Sequence, residues 1–510
     1  MIDIRPERRA PVPLARVAAV AGATGPTADA AAVTVTGVGL DSRTIRPGDL
    51  YAALPGANVH GGRFVDGAVE RGAVAVLTDS AGAALAAGTP VPVLIVADPR
   101  AALGQVAAEI YGTRPPGLDL IGVTGTNGKT TTAYLIDSAL RALGRRTGLI
   151  GTVETRIGDQ RVKSVRTTPE ATDLHALLAA MREADVATCV MEVSSHALAM
   201  HRVDGVVYDV ALFTNLSQDH LDYHGTMEDY FLAKAELFTP ERATRGVVCV
   251  DDAWGARLAG MATIPVSTVS STGAPADWRL DAAPDGAEFT LTGPHTQLAL
   301  RSALPGDFNR VNTALATLAL LALGHDAGAV REAVLTDPHV PGRMEKVAPA
   351  AGSDAPLAVV DYAHTPEAVA AALAALRPQA VPGGLVVVLG AGGDRDRGKR
   401  AAMGAAAARE ADIVIVTDDN PRSEDPAVIR AAVVAGARES APHKDIREIA
   451  DRAEAIAAAV AAAVAAGRGA VVAVVGKGHE TGQEIGGVVH PFDDREQVRA
   501  ALDAAYGQAS

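Results

Sequence analysis

The feature that most constrains the fold is the stretch IGVTGTNGKTTT at residues 121–132. An apolar run at 118–123 leads into it, and apolar residues at helical spacing follow it between Ala133 and Leu143. A strand, a glycine-rich loop and the start of a helix are the parts of a cradle for phosphate groups. The stretch therefore predicts an α/β unit that binds ATP or GTP.

The residues of this loop have distinct expected roles. Gly125 and Gly128 let backbone N–H groups approach a polyphosphate, Lys129 can reach its terminal phosphates, and the Thr130 hydroxyl can hold Mg²⁺. The match to the common phosphate-loop pattern is imperfect, because Val123 stands where a glycine is usual. An ordinary glycine-rich turn is the alternative interpretation. It does not account for a lysine and a threonine at the positions that phosphate and metal need.

Length and composition set outer limits on the architecture. A chain of 510 residues predicts about three domains, at roughly 100–200 residues each. Hydrophobic residues make up 48% of the chain but aromatic residues only 3%, so the cores must be built from Ala, Val and Leu. The net charge of −14 argues against a sequence-independent nucleic-acid surface, which is basic.

Cysteine usage and hydropathy favour a cytoplasmic enzyme without a membrane segment. Cys189 and Cys249 lie in apolar contexts, which favours buried, reduced thiols. The N-terminal twenty residues lack the continuous apolar core of a signal peptide. The run AIAAAVAAAVAAG at 455–467 is too short to span a bilayer and predicts a packed helix.

The first predicted domain, residues 1–112, is a small α/β unit. Apolar runs at 73–78 and 91–98 predict buried strands, and the segment 64–72 predicts a helix. The sequence LDSR at 40–43 could face a ligand, although its residues alone favour a helix cap or a turn. The Pro-Pro-Gly segment at 113–120 predicts a linker to the next unit.

The central predicted domain, residues 113–341, carries the phosphate loop and a mostly parallel sheet. Two apolar runs end in polar residues, the first at Glu192 and the second at Asn215 to His220. Because ligands gather at the carboxyl ends of parallel strands, these clusters and the loop are expected to form one site. Segment 263–301 predicts β-hairpins. Asp307 or Asn309 is expected to cap the following helix, or the Asn309 amide to bind a base.

The third predicted domain, residues 342–510, is a Rossmann-like doubly wound unit. Four apolar runs, beginning at 357, 385, 411 and 470, alternate with helical segments. Basic side chains concentrate on the loops that follow these strands. Either they form a solvated surface or they bind an anionic substrate; they are Arg395, Arg397, Lys399, Arg400, Arg422 and Lys477.

The motifs, taken in chain order, resemble the ATP-dependent Mur ligases of peptidoglycan synthesis. The matching pieces are TGTNGKTT (124–131), MEVSSHAL (191–198), FTNLSQDHLDYHG (213–225), FNRVN (308–312), PGRME (341–345), VVDYAHTP (359–366), GGDRDRGKR (392–400), TDDNPR (417–422) and GKGHE (476–480). LDSR and DNPR are similar to the type that adds the third peptide residue. DNPR resembles the pattern of enzymes that use meso-diaminopimelate, because lysine-adding relatives lack the Arg.

The resemblance implies an acyl-phosphate mechanism. A D-glutamyl carboxylate of the uridine-linked substrate UDP-MurNAc-L-Ala-D-Glu attacks the ATP γ-phosphate, and the amine of the incoming amino acid then displaces phosphate. Lys129 and two Mg²⁺ ions are expected to screen the approaching anions. Thr130 would hold one metal, and Glu192 and His220 the second. Lys234 matches the lysine that the family carbamoylates, which turns a cation into a metal-orienting anion.

The resemblance also implies the following contacts. The ATP-binding residues would be Gly125, Thr126, Asn127, Gly128, Lys129, Thr130, Thr131, Asn309, Arg343, Asp361 and His364. The uridine substrate would contact Leu40, Ser42, Ala57, Asn58, Val59, Thr167, Thr168, Ser194, Met200 and Arg202. Diaminopimelate would contact Arg395, Asp419, Asn420, Pro421, Arg422, Gly476 and Glu480. Met200 and Pro169 depart from the family pattern, which usually has Gln and Gly there.

The choice of amino acid has a physical basis. Diaminopimelate carries a distal carboxylate that lysine lacks, and Arg422 with Arg395 can pair with it bidentately. Lysine would leave both cations unpaired. The alternatives are the same chemistry with L-lysine, a ligase of the folylpolyglutamate synthetase type, and a non-catalytic nucleotide-gated binding module. A monomer is expected.

Overall fold

The computed structural model describes residues 4–8, 10–24, 32–164, 166–282, 286–350 and 355–506. These residues form three successive α/β units, each with its own sheet. The predicted three-unit α/β class is therefore confirmed, while the exact boundaries 1–112, 113–341 and 342–510 stay predictions.

The first unit is built on a small parallel sheet. Among the described residues its strands lie in the order β3-β4-β5-β6, and β1 pairs with β2 in a separate antiparallel ribbon. Asp98 caps the last helix by accepting from the backbone N–H groups of Arg100 and Ala101. The elements are β1 (Val12–Pro13), α1 (Leu14–Ala21), β2 (Thr34–Val35), β3 (Gly37–Gly39), β4 (Asp49–Ala52), α2 (Val65–Glu70), β5 (Ala75–Thr78), α3 (Ser80–Leu85), β6 (Val93–Ile95) and α4 (Pro99–Tyr111).

The first half of the central unit is a mostly parallel sheet that carries the phosphate loop, with an antiparallel edge of two strands. Strand β7 lies between β11 and β12, so its carboxyl end is at the middle of the sheet. The elements are β7 (Asp119–Thr124), α5 (Lys129–Ala142), β8 (Thr147–Ile150), β9 (Glu154–Ile157), β10 (Gln160–Lys163), α6 (Ala171–Glu183), β11 (Thr188–Glu192), α7 (Ser195–Ala199), β12 (Val210–Phe213), α8 (Leu221–His224) and α9 (Met227–Ala235).

The second half of the central unit extends the same sheet and ends in the predicted hairpins. The described strands run in the order β10-β9-β8-β11-β7-β12-β13-β14-β15-β16-β17, parallel from β8 to β15 and antiparallel beyond β15. The remaining elements are β13 (Gly246–Cys249), α10 (Ala253–Met261), β14 (Val266–Ser270), β15 (Trp278–Ala282), β16 (Glu288–Thr292), β17 (Gln297–Arg301), α11 (Asp307–Ala322) and α12 (Ala327–Ala333).

The start of helix α11 differs from the sequence-based expectation. Its N-cap is Gly306, with φ +96° and no side-chain cap, so the prediction that Asp307 or Asn309 caps the helix is wrong. Asn309 lies inside the first turn, where its Nδ2 donates to the carbonyl of Pro305 at 2.7 Å. A glycine accepts this positive φ readily, which lets the chain turn sharply into the helix.

The third unit is the predicted doubly wound sheet. Among the described residues the order is β18-β19-β23-β20-β21-β22, and every neighbouring pair except β18–β19 is parallel. The elements are β18 (Glu345–Val347), β19 (Leu357–Asp361), α13 (Pro366–Leu376), β20 (Leu385–Leu389), α14 (Lys399–Glu410), β21 (Ile413–Val416), α15 (Pro426–Ser440), β22 (Asp445–Glu448), α16 (Arg452–Ala466), β23 (Val471–Val475), β24 (Gly482–Ile485), β25 (Val488–Pro491) and α17 (Asp494–Tyr506).

Several local expectations hold in the structure. Cys189 and Cys249 are free and buried. The Ala-rich run at 455–467 forms most of α16 and ends at its C-cap, Gly467, and the helix buries one face against the sheet of the third unit. Across the described residues, no helix combines the length and apolar character needed to cross a membrane.

The first and central units pack tightly against each other. Apolar side chains of α4 and α6 share one buried cluster with the first sheet. Gly104 of α4 lies directly against the backbone of Asp204, where a Cβ atom would not fit. His175 of α6 bridges the junction, with Nδ1 2.6 Å from the Thr113 hydroxyl and Nε2 2.9 Å from the Asp204 carbonyl. The two units therefore form a rigid platform.

A buried ion pair holds together the third unit. Arg452 at the start of α16 donates to both carboxylate oxygens of Asp494 at 2.7 Å, and neither side chain is exposed. Arg452 also donates to the carbonyls of Val475 and Asp418. The guanidinium thus ties two strand ends to the final helix.

Replacing Arg452 by alanine should destabilise the third unit by roughly 3–5 kcal/mol, because the Asp494 carboxylate would stay buried without its cation. Hydrogen exchange of the β23 amides, followed by mass spectrometry, reports opening of this unit. Arg447→Ala is the control, since Arg447 pairs with Asp445 on the surface, and it should cost less than about 1 kcal/mol. Unchanged exchange in Arg452→Ala would contradict the structural role.

Candidate active site

The phosphate loop joins β7 to α5, and residues that directly follow β12 make hydrogen bonds to it. Gly125 and Gly128 have φ values of +143° and +87°. The backbone N–H of Asn127 donates to Asn215 Oδ1 at 3.0 Å, and the Thr214 hydroxyl donates to the Asn127 carbonyl at 2.6 Å. A Cβ at Gly125 would collide with the Thr214 hydroxyl, so glycine is required there.

Two lysine side chains converge on this loop. Lys129 Nζ donates to the carbonyls of Gly125 and Thr126 at 2.9 and 2.8 Å, and Lys234 Nζ donates to the same Gly125 carbonyl at 2.8 Å. Burial lowers the pKa of both ammonium groups, and the charge of Lys129 lowers that of Lys234 further. Lys234 also stands 4.6 Å from the ring centroid of Tyr230. The loop therefore concentrates positive charge where phosphates would lie.

Glu192, the last residue of β11, faces the first turn of α5. Its side chain accepts from the Thr130 hydroxyl at 3.0 Å and from the backbone N–H and hydroxyl of Thr152 at 2.8 and 3.0 Å. The sequence predicted Glu192 in one site with the phosphate loop, but on a different metal from Thr130, and it did not predict Thr152. No motif marked Thr152, because its role comes from the chain passing close to Glu192 after β8.

The oxygen atoms of Thr130 and Glu192 fit one magnesium ion. Two ligands bound side by side at about 2.1 Å in an octahedron lie about 3 Å apart, close to the observed 3.0 Å. Hydroxyl and carboxylate oxygens are also the hard donors that magnesium prefers. Among the described residues, however, no group of three or more His, Cys, Asp or Glu side chains is already assembled to hold a metal. Substrate oxygens and water would have to complete the shell.

His220 lies at the junction of the central and third units. It has a left-handed backbone, φ +55°, and its Nε2 is 3.5 Å from Asp219 Oδ2. Burial lowers the pKa of His220 to about 4, helped by the charge of Lys129 and opposed by Asp219. A ring that is neutral near pH 7 can act as a metal ligand.

Asp219 connects the two units electrostatically. His364, from the loop after β19, places its Nε2 4.0 Å from Asp219 Oδ2. Burial opposes ionisation of Asp219, but the charges of His220, His364 and Lys399 outweigh it and lower the pKa of this carboxyl group. Asp219 belongs to the polar cluster Asn215 to His220 that the sequence predicted for this site, although no role of its own was assigned to it.

Two of the predicted ATP contacts, Asp361 and His364, lie close enough to Arg343 to feel its charge. Arg343 donates to the Thr130 hydroxyl at 3.3 Å, and its guanidinium carbon lies 4.2 Å from the ring centroid of Tyr362. Asp361 accepts from the backbone N–H groups of Met344 and Ala363, so it shapes the turn after β19, and burial raises its pKa.

The amide of Asn309 is occupied within the protein. Its Nδ2 donates to Pro305 and its Oδ1 accepts from Asn312. The remaining predicted nucleotide residues lie on the loop or on the first turn of α5, at Thr126, Asn127 and Thr131.

A cavity of about 630 Å³ lies between the first and central units, beside their packed contact. Leu40, Ser42 and Val59 line it, whereas Ala57 and Asn58 are exposed and lie outside its lining. Asp41 caps the turn Ser42–Thr44, which confirms the turn interpretation of LDSR. Asp41 also lines the cavity, and its contact with a ligand stays a prediction.

Polar residues of the central unit extend from this cavity toward Glu192. Thr168 Oγ1 donates to the Glu192 carbonyl at 2.8 Å and lies 3.3 Å from the Ser194 hydroxyl. The Thr167 hydroxyl is 3.0 Å from that of Thr152. Arg202 donates toward the Met200 sulfur at 3.3 Å. These contacts connect the cavity to the phosphate loop along one path.

Glu170 in this cavity gathers three guanidinium groups. Arg166, Arg202 and Arg100 lie 2.7, 3.0 and 3.3 Å from its carboxylate oxygens. Burial and the charge of Glu170 raise the pKa of the neighbouring Asp173 to about 6. Sequence analysis found Arg202 but missed Arg100, Arg166, Glu170 and Asp173, since no local pattern distinguishes them from surface charges.

The predicted amino-acid site lies on the loops of the third unit. Asn420 accepts from Lys477 at 3.0 Å and donates to Glu480 at 2.8 Å, and Lys477 is completely buried. Pro421 is buried beside them, and Gly476 faces Asp419. A Cβ added to Gly392 would lie 3.0 Å from Arg422 Nη1 and 3.8 Å from Arg395 Cγ, so the two arginines flank the same backbone.

The basic residues of these loops have unequal roles. Arg400 is 3% exposed and pairs with Glu424, and Lys477 pairs with Glu480, so both serve the structure of the loops rather than a solvated surface. Arg395 is more than half exposed and lies 4.0 Å from Asp222 of the central unit. It remains available to an anion at the boundary between the units.

The fold and this site define a nucleotide-binding enzyme of three α/β units with a phosphate loop at its centre. Models of the Mur ligase family, catalytic domain, the Mur ligase middle domain, and the Mur ligase, glutamate ligase domain match residues 34–111, 123–320 and 342–478. The chain is 54% identical to a UDP-N-acetylmuramoyl-L-alanyl-D-glutamate--2,6-diaminopimelate ligase of Streptomyces avermitilis, over 99% of each chain. The chain belongs to the Mur ligase family.

Solved structures agree with this assignment. A structure of a UDP-N-acetylmuramoyl-L-alanyl-D-glutamate--2,6-diaminopimelate ligase is 33% identical, with a TM-score of 0.69 over 98% of this chain and all of that one. A Mycobacterium tuberculosis folylpolyglutamate synthase is 22% identical with a TM-score of 0.58, over 74% of this chain and 92% of that one. The second likeness concerns the fold alone.

Anion binding in the cavity should strengthen as the pH falls through about 6, because protonation of Asp173 removes a negative charge beside the arginines. Calorimetry with UDP-N-acetylglucosamine, whose diphosphate does not titrate in this range, should give about fivefold tighter binding at pH 5.5 than at 7.5. Asp173→Asn should bind tightly at both pH values. A wild-type affinity independent of pH would refute the role of Asp173.

Proposed function

We propose that this chain is an ATP-dependent ligase that adds meso-2,6-diaminopimelate to UDP-N-acetylmuramoyl-L-alanyl-D-glutamate in peptidoglycan precursor synthesis. The observation that carries the proposal is the 54% identity, over 99% of both chains, to a ligase with that printed name. The geometry supplies a place for each reactant: the cavity beside Glu170, the phosphate loop, and the loops around Arg422.

The chain's residues support formation of an acyl phosphate. An oxygen of the D-glutamyl carboxylate attacks the γ-phosphorus, and the bond to the ADP oxygen breaks. The diaminopimelate amine then forms the amide bond, losing a proton as phosphate leaves. Both reactants of the first step are anions, so Lys129 and the positive end of α5 must offset their repulsion. Arg343, which reaches Thr130, can contribute further positive charge.

Magnesium ions bound here would neutralise the triphosphate and the acyl phosphate. Because Thr130 and Glu192 lie 3.0 Å apart, they would hold one ion together, rather than Glu192 sharing the second ion with His220 as the resemblance implies. His220 with Lys234 would help hold the second ion. Lys234 suits this role only as a carbamate, because an ammonium repels a cation. Its lowered pKa makes the neutral amine, which adds to CO₂, easier to form.

The third unit would select the amino acid. Arg422 and Arg395 would pair with the distal carboxylate of diaminopimelate, whereas L-lysine would leave them unpaired. The other predicted contacts with diaminopimelate lie on the same loops of the third unit; they are Asp419, Asn420, Pro421, Gly476 and Glu480. The folylpolyglutamate type of ligase is not favoured, because the likeness to that synthase covers less of this chain and concerns the fold alone.

The remaining expectations are part of the same proposal. The enzyme would act in the cytoplasm as a monomer, with neither nucleic acid nor membrane as a partner. Its units would divide near residues 112 and 341. The predicted uridine contacts Leu40, Ser42, Val59, Thr167, Thr168, Ser194 and Arg202 lie on or next to the path from the cavity to the loop. Ala57 and Asn58 would need to move to join them.

A coupled assay tests this function. Purified protein with ATP and the uridine dipeptide should release ADP, and a tripeptide product should form only when diaminopimelate is added. Lys129→Ala should abolish ligation while keeping uridine-nucleotide binding near normal, because Lys129 lies at the phosphate loop and not in the cavity. Ligation that survives in Lys129→Ala would mean that the loop has been misassigned.

Arg422→Ala should reduce kcat/KM for diaminopimelate by about 100-fold, the scale of a lost charge-assisted pair, and leave the poor use of L-lysine nearly unchanged. Steady-state kinetics with both amino acids measures this ratio. Arg438→Ala, an exposed substitution on α15, is the control. Full preference for diaminopimelate in Arg422→Ala would rule out the role given to this residue.

A further inference from the structure

The carboxylate of Glu192 is held at two points by one residue, Thr152. The backbone N–H of Thr152 donates to Glu192 Oε1 at 2.8 Å, and its hydroxyl donates to Glu192 Oε2 at 3.0 Å. The last torsion of a glutamate side chain has a broad, roughly two-fold energy profile, so the carboxylate can rotate unless its neighbours prevent it. One donor on each oxygen fixes that rotation, and Glu192 is only 1% exposed.

The turn that carries Thr152 allows this close approach. It follows β8, and Gly151 comes directly before Thr152. A Cβ atom on Gly151 would collide with Glu192 Oε1, so any side chain at this position would push the carboxylate away. The backbone N–H of Gly151 donates to the Glu154 carbonyl at 3.1 Å, which closes the turn. The glycine and the threonine together form a seat for the carboxylate.

A second threonine sets the direction in which the Thr152 hydroxyl points. Thr167 Oγ1 lies 3.0 Å from Thr152 Oγ1. A hydroxyl has one hydrogen to donate, and Thr152 gives its own to Glu192, so Thr167 is the donor in this contact. Each bond in such a chain polarises the next and strengthens it. The donation from Thr152 to Glu192 is therefore reinforced from behind.

Thr130 makes a different kind of contact with the same carboxylate. Its hydroxyl also donates to Glu192 Oε2, at 3.0 Å. A magnesium ion shared by Thr130 and Glu192 would replace this hydrogen bond, because both oxygen atoms would then face the cation. The bonds from Thr152 come from a separate segment of the chain and need not break. Thr152 can thus hold the carboxylate before and after the metal binds.

We propose that Thr152 is a positioning residue for magnesium, whose two hydrogen bonds hold Glu192 in the orientation that binds the ion at the phosphate loop. This inference rests on the proposed function, because it concerns the metal that accompanies ATP in that reaction. Hydrogen bonds that orient a metal ligand commonly contribute about 10- to 100-fold to metal affinity or activity. Thr152 acts through Glu192 and is not itself a ligand.

The test is calorimetry with β,γ-imido-ATP, performed once with saturating Mg²⁺ and once with EDTA. The ratio of the two dissociation constants is the gain in nucleotide affinity that Mg²⁺ brings. Thr152→Val removes the hydroxyl at nearly constant volume, and it should reduce this gain about 10-fold. Its dissociation constant in EDTA should stay within about twofold of the wild type. Thr152→Ser, which keeps the hydroxyl, should restore most of the gain.

Thr147→Val is the matched control, because Thr147 is a buried threonine on β8 whose hydroxyl has no hydrogen-bond partner among the described residues. It should match the wild type in both solutions. An unchanged gain in Thr152→Val would overturn the inference. An equal loss of affinity with Mg²⁺ and with EDTA would also overturn it, since that result indicates a general distortion of the nucleotide site.

The calorimetry needs neither the uridine substrate nor an amino acid. A coupled assay in which the wild type forms no tripeptide would therefore refute the proposed function separately, and the two failures are distinguishable.

Discussion

One backbone oxygen, the carbonyl of Gly125, accepts hydrogen bonds from two lysine ammonium groups, and the centre of the molecule depends on this contact. It draws together the loop after β7, helix α5 and helix α9, which carry Gly125, Lys129 and Lys234. Two cations close to one another in a buried site repel, and burial already disfavours each charge. The arrangement therefore favours the neutral amine at Lys234, whose pKa is lowered well below its ordinary value.

Interactions between charged side chains also shape the cavity and the loops of the third unit. The protein's own carboxylates contact its guanidinium groups: Glu170 contacts three arginines in the cavity, and Glu484 contacts Arg422 in the third unit. Substrate anions must compete with these carboxylates or share their partners. A ligand with too few negative groups cannot displace Glu170 or Glu484 from their arginines. The protein therefore discriminates between ligands at the expense of binding affinity.

The fold and the residues at the phosphate loop could be predicted from the sequence better than the residues that line the substrate cavity. Long apolar runs and the glycine-rich loop predict strands β7, β20 and β23 and helix α5, because period and turn chemistry are local. Glu192 was predictable since it ends such a strand. Thr152 and Glu170 were not, since Thr152 contacts Glu192 from 40 positions away and Glu170 contacts Arg100 from 70 positions away. The misplaced cap of α11 shows the same limit, because a glycine's positive φ replaced the expected side-chain bond.

The contrast between the two inter-unit junctions bears on how inhibitors can act. The first unit is joined to the centre through an apolar core and the close contact of Gly104 with Asp204. Contacts of the third unit with the centre include long polar ones, such as His364 with Asp219 and Arg395 with Asp222, beside the packing of Phe308. A compound that fills the nucleotide cavity meets a preformed surface, so its association rate is set by diffusion and charge. A bisubstrate compound that reaches Arg422 would instead span a boundary of polar contacts, where its own charged groups must replace those of the protein.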